Sequence, residues 1–176
     1  MRVFANKIVF YILLLLPIFI LASFSLEGAP MSLFTKTKEI VLASPMEGLL
    51  TYKGKPVPGV KLVRKLRWYD GDESAEDFVL TDHKGRFTLP VIKKVLKVSG
   101  YVQFVTIQEI IAQYNGEQID IWTMGNHSKI EFGELGGKPV NFRCELTDEE
   151  QRYSPNYSAV LTRCKWDSLE PWEDTE

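Results

Sequence analysis

Histidine and cysteine are scarce, with two of each in 176 residues. His83 and His127 stand 44 positions apart, and neither Cys144 nor Cys164 has a histidine close by in sequence. A zinc finger and a thiol–imidazole nucleophile therefore lack their usual spacing. Position three after His83 is Arg86 and after His127 is Ile130, so the His-x-x-Glu grip of a zinc peptidase is missing. No serine elbow, no P-loop and no internal repeat is present. An excess of one charge is lacking too: 21 Lys and Arg face 23 Asp and Glu, for a net charge of -2. With a pI of 5.8 the chain has no basic field for binding nucleic acid through counterion release. Neither a cofactor nor a metal is implied by any motif.

Apolar residues are present in bulk, at 45% of the chain, but they are segregated. Ile8 to Phe24 is apolar apart from Ser23 and is interrupted by Pro17, with Arg2 and Lys7 ahead of it. That layout is a signal peptide or a signal anchor over residues 1–25. The run is short for a span, since roughly 20 residues cross the hydrocarbon core, so cleavage and anchoring both stay open. Either way the cationic end stays cytoplasmic and the body crosses the membrane. A periplasmic location follows, either released or held at the inner membrane. The two cysteines fit an oxidising compartment and are expected to form a structural disulfide, Cys144 to Cys164, with free buried thiols as the alternative.

Residues 26–45 show no lasting period and read as a spacer, with a domain over 46–166 and an acidic tail over 167–176. Within the domain the dominant period is two. Val60, Leu62, Leu66 and Trp68 share one strand face, with Arg64 the exception. Phe78 and Leu80, then Phe87 and Leu89, flank a tight hairpin turn at Asp82-His83-Lys84-Gly85. Asn115-Gly116 marks a second hairpin, although 108–113 can also be read as a helical turn. Phe142, Cys144 and Leu146 alternate inward, Thr147 and Glu150 suggest a capping box for a short helix, and Val160 to Trp166 supplies a last strand beside that of Cys144. Short strands separated by Gly, Pro and Asn turns predict an all-β chain, an antiparallel β-sandwich behind an N-terminal hydrophobic helix.

Glu47-Gly48-Leu49-Leu50-Thr51-Tyr52-Lys53-Gly54-Lys55-Pro56-Val57-Pro58-Gly59-Val60-Lys61-Leu62, with Thr81-Asp82-His83-Lys84-Gly85-Arg86-Phe87-Thr88-Leu89 after it, resembles the carboxypeptidase regulatory-like family. The resemblance implies a transthyretin-like sandwich with Gly54, Gly59, Asp82 and Gly85 at structural turns. It implies no chemistry, because the family serves as an accessory module. The stretch from Ile121 to Thr147 also looks like an uncharacterised group of Gram-negative envelope proteins. Two enzyme groups with transthyretin-like sandwiches, hydroxyisourate hydrolases and intradiol dioxygenases, need a C-terminal tail or a paired-histidine motif that this chain does not have.

Five carboxylates crowd Asp70-Gly71-Asp72-Glu73-Ser74-Ala75-Glu76-Asp77. Such density can hold calcium or furnish a general acid and base, though the EF-hand spacing fails at Ala75 and Thr81. Tyr69 and Trp122 fall on the phase opposite to their apolar neighbours and are expected on an exposed face, where aromatic residues anchor partners. Together with Asp70, Asp72 and Glu73 they make up the candidate partner-binding set. The sequence thus reads as a non-enzymatic exported envelope module that binds a protein or glycan, in its sharper form a periplasmic immunity-type protein that captures a basic toxin. A metal-dependent hydrolase built on the acidic loop, and a structural part of an envelope assembly, are the alternatives.

Overall fold

The computed structural model describes residues 35–68, 73–99, 103–154 and 158–171. The chain divides into two compact units, 1–35 and 36–176, and the fold below is that of the second. The expected leader helix over 1–25 and the last residues, 172–176, lie outside the described residues.

Described residues form strands and turns only. In chain order the strands are β1 (Thr35–Ala43), β2 (Met46–Tyr52), β3 (Lys55–Pro56), β4 (Lys61–Trp68), β5 (Glu73–Leu80), β6 (Arg86–Leu89), β7 (Ile92–Ser99), β8 (Thr106–Tyr114), β9 (Glu117–Asn126), β10 (Lys138–Val140), β11 (Arg143–Glu145), β12 (Gln151–Tyr153), β13 (Ala159–Thr162), β14 (Cys164–Lys165) and β15 (Ser168–Glu170). The fold is all-β, with its sheets arranged as a sandwich. One layer is a six-stranded antiparallel sheet in the order β12-β13-β9-β8-β4-β5. Facing it is a five-stranded sheet in which β2 lies between β11 and β3, β14 lies outside β11, and β6 also pairs β2. Its β2–β11 contact is parallel. Two ribbons, β1–β7 and β10–β15, complete the unit.

Alternation explains which faces close on each other. Val60, Leu62, Leu66 and Trp68 all point inward, and Ile110, Ala112, Met124 and Val160 from neighbouring strands join them in the buried set. Between the sheets Val60, Leu62, Ile110, Ala112, Met124 and Val160 meet Leu50, Phe87, Leu89, Phe142 and the Cys144–Cys164 disulfide. A second cluster forms where Ile40, Leu42 and Ala43 of β1 and Leu96 of β7 cover Leu66 and Trp68. Arg64, the exception in its strand, is fully buried and fully partnered. Its Nε and Nη2 donate to Asp77 at 2.9 and 2.6 Å, and Nη1 donates to the Pro90 carbonyl at 2.8 Å.

Several expectations are overturned. The spacer reading of 26–45 fails from residue 35 onward, because β1 pairs β7 and supplies Ile40 and Leu42 to the second cluster. Asp82–Gly85 is a tight turn, with the Gly85 N–H donating to the Asp82 carbonyl at 2.9 Å, but it is a corner rather than a hairpin: β5 goes to one sheet and β6 to the other. Phe78 and Leu80 consequently point outward, at 58% and 59% exposure, while Phe87 and Leu89 are buried. Residues 108–113 lie inside β8, with no helical turn. Thr147 caps no helix; its hydroxyl donates to Glu145 Oε1 at 2.6 Å and the chain turns into β12. The acidic tail expected over 167–176 is not free of the fold: 168–170 form β15, which pairs β10 from Lys138↔Glu170 to Val140↔Ser168.

Trp122 is the largest correction among the candidate site residues, for it is only 1% exposed. Opposite β8, Ile110 pairs Trp122 while the next residue, Ile111, pairs Asp120, so Ile121 is an extra residue in β9. A bulge of this kind shifts the side-chain phase by one. Ile121 and Trp122 therefore both turn inward, where the indole packs edge-on to Phe142 at 5.8 Å.

Candidate functional site

Two surfaces carry features that packing does not use up. The first is the outer side of the β4–β5 hairpin. β5 pairs β4 over eight residues without a bulge, from Lys61↔Leu80 to Trp68↔Glu73, and is the end strand of its sheet. It contains neither proline nor lysine, two residues that commonly blunt an edge. Phe78 and Leu80 stand on its outer face, with the Lys61 Nζ 4.3 Å from the Phe78 ring centre. Farther along the same sheet face, Ile107 and Leu161 are also exposed beside a shallow apolar notch of about 350 Å³ left by the missing side chain of Gly125.

At the other end of this hairpin the sequence candidates part company. Glu73 is exposed, and its carboxylate accepts from Lys94 Nζ at 3.0 Å and Trp68 Nε1 at 2.9 Å. The Lys94 hydrogen bond, partly opposed by desolvation and aided by Trp68, holds this carboxyl below the usual range. Tyr69, Asp70 and Asp72 lie outside the described residues, and Trp122 is in the core. The structure thus shows no assembled set from these five residues.

The second surface is a groove of about 610 Å³ on the outer face of the five-stranded sheet. Register builds its floor: Leu49 of β2 lies opposite Arg86 of β6 on one side and Arg143 of β11 on the other, while Lys165 of β14, opposite Arg143, stands outside the lining. Directly opposed residues share a face, so three cations and Leu49 form one row. Glu47, two residues before Leu49, lies opposite Thr88 and adds a carboxylate. Glu131, Phe132, Lys138 and Pro139 also line it. Arg143 is engaged, donating to Asp167 Oδ1 at 2.7 Å and to the Asn141 carbonyl at 3.0 Å. Hydrogen bonds from Asn141 and then Arg143 hold the Asp167 carboxyl below the usual range. Lys165 is paired with Asp148. Arg86, Lys138, Glu47 and Glu131 make no side-chain hydrogen bond or ion pair with any described residue.

Sequence reasoning missed two carboxylates. Glu145 accepts from Thr51 Oγ1, from both the N–H and the hydroxyl of Thr147, and from the N–H groups of Lys53 and Gly54. Burial works to raise its pKa, but these hydrogen bonds together prevail and hold it at about 2. They also fix the β2–β3 turn, where Lys53 and Gly54 have φ of 50° and 74°. Glu134 is buried, accepts from Ser44 Oγ at 2.8 Å, and is pushed upward by desolvation. Its carboxylate reaches 90 positions back to Ser44, which no local pattern displays. Gly59 has φ of 71°, and its turn is fastened by Thr81, whose hydroxyl accepts from Val60 N–H and donates to the Val57 carbonyl. Gly85 has φ of 74°, and a side chain there would meet the Leu50 carbonyl at 2.8 Å.

A zinc set drawn from His83, His127, Cys144 and Cys164 fails for a concrete reason: both sulfurs are spent in the disulfide. Among the described residues, no three His, Cys, Asp or Glu side chains gather as metal ligands. No curated protein and no solved structure matches the chain. One family model, described as a domain of unknown function, matches residues 46–149, which run from β2 through β11 and carry both turns and the groove floor. By that match over more than half its length, the chain belongs to the DUF6795 family.

Proposed function

We propose that this chain is a non-enzymatic exported envelope protein, a transthyretin-like module of the carboxypeptidase regulatory-like kind, that binds a protein partner through the free edge of β5. The observation behind this is the eight-residue, bulge-free strand that ends its sheet among the described residues, with Phe78 and Leu80 exposed on its outer face. An unpaired edge offers a row of N–H and C=O groups that only another polypeptide backbone can complete, while alternate side chains supply specificity. This favours a protein over a glycan as the occupant. The signal-like leader and the disulfide support a periplasmic setting, released or anchored in the inner membrane. In its sharpest form the partner is a basic toxin delivered there, met by the acidic residues of β5.

A photo-crosslinking residue placed at Leu80 or Phe78 of the full chain, expressed in its own cells, tests this directly. The expected result is one discrete protein adduct from both positions and none from His83 at the corner beyond the strand. Absence of an adduct at both strand positions, or the same adduct from all three, overturns the reading.

A further inference from the structure

The groove on the five-stranded sheet poses a separate question, independent of β5. It is lined by four charged side chains that make no hydrogen bond or ion pair with a described residue, Arg86, Glu47, Lys138 and Glu131, although Arg86 also acts at longer range on Asp82 and Glu131 on Glu134. The lining therefore carries two cations and two carboxylates. Arg86 and Glu47 sit diagonally on adjacent strands, since Leu49 lies opposite Arg86 and Glu47 opposite Thr88, yet they form no ion pair. The engaged Arg143 already has its carboxylate in Asp167. Between the charges lie Leu49, Phe132 and Pro139, which give the groove an apolar strip.

Charges of both signs set the ligand class. A purely acidic oligosaccharide drawn to Arg86 and Lys138 would also meet Glu47 and Glu131. A polybasic segment would meet the opposite mismatch. Only a ligand carrying both signs over a short distance answers all four groups, and the volume lies within the range of small-ligand sites, about 300–1,000 Å³. We infer that this groove binds a short zwitterionic peptide, its carboxylate between Arg86 and Lys138 and its ammonium toward Glu47 and Glu131. The peptide's apolar side chain lies on Leu49 and Pro139. Because the groups are solvent-facing, binding is weak and falls as salt is raised.

The test is titration of the full chain in detergent with alanyl-glutamyl-lysyl-alanine bearing free termini, followed by calorimetry and by amide shifts. Two comparison ligands are its uncharged, end-blocked diglutamine analogue and an oligogalacturonate. The expected result is saturable binding of the zwitterionic peptide alone, with shifts at Leu49, Arg86 and Lys138. Arg86→Gln and Glu131→Gln should each weaken it by up to about five-fold, as loss of one exposed pair predicts, with unfolding curves unchanged. Failure of the peptide to saturate, equal binding of the uncharged analogue, or tighter binding of oligogalacturonate with no effect of Glu131→Gln would overturn the assignment. None of these results bears on the β5 edge, which lies in the other sheet.

Discussion

At the scale of single residues, carboxylates decide more than their surface positions suggest. Glu145 takes five hydrogen bonds and ties the Lys53–Gly54 turn to β11. A carboxyl held at about 2 in the fold, against an ordinary value of 4.5, stabilises the folded state fully above the ordinary value. That contribution is lost as pH falls from about 4.5 toward 2. Glu145→Gln should therefore cost about 1–2 kcal/mol at pH 7, a figure discounted for partial exposure, and the difference from the parent should vanish by about pH 2. Denaturant unfolding across that range measures it. The alternation of β11 placed Glu145 outward, but it could not show which backbone donors would stand opposite. Arg64 was legible only as a break in an apolar face. Its meaning depended on Asp77, its partner across the β4–β5 pair, and on the Pro90 carbonyl.

At the scale of elements, the readable parts were those fixed by local alternation. The faces of β4, β6 and β11 and the Asn115–Gly116 hairpin, whose φ values are 52° and 81°, all follow from neighbours in sequence. What could not be read was set across strands. The phase of Trp122 depends on an extra residue opposite β8, and the outward turn of Phe78 depends on β5 and β6 parting to different sheets. The cysteines bridge directly opposed positions of β11 and β14, Cys144↔Cys164. With a separation of 20 residues, the loop-entropy estimate is about 3 kcal/mol. Replacing both by serine should lower the unfolding free energy by about that amount, read as a lower denaturant midpoint, and reductant should do the same to the parent chain while leaving the double variant unmoved.

For the molecule as a whole, the second core cluster changes where the folded unit starts. β1 had few sequence marks of a strand, since its first half is Thr and Lys and its partner β7 begins about 50 positions later. Yet Ile40, Leu42 and Ala43 roof Leu66, Trp68 and Phe104. A chain beginning at Pro45, as the spacer reading would have recommended, should lose at least about 3 kcal/mol from Ile40 and Leu42 alone. It should also bind a hydrophobic dye that a chain beginning at residue 35 does not. Thermal unfolding of the two side by side decides the point. The candidate surfaces were least legible of all. The groove needs β2, β6 and β11 brought side by side, and among the described residues β5 ends its sheet, which no local pattern displays.

The parallel seam between β2 and β11 has a consequence for the order of assembly. Thr51 meets Cys144 93 positions downstream, so the five-stranded sheet cannot close until most of the chain is available. Closing so long a loop early is entropically expensive, whereas the β8–β9 hairpin needs only its two-residue turn. In pulsed hydrogen exchange during refolding, β8 and β9 amides should gain protection ahead of those of β2. A chain that emerges N-terminus first would then stay threadable until β11 has followed β2 out.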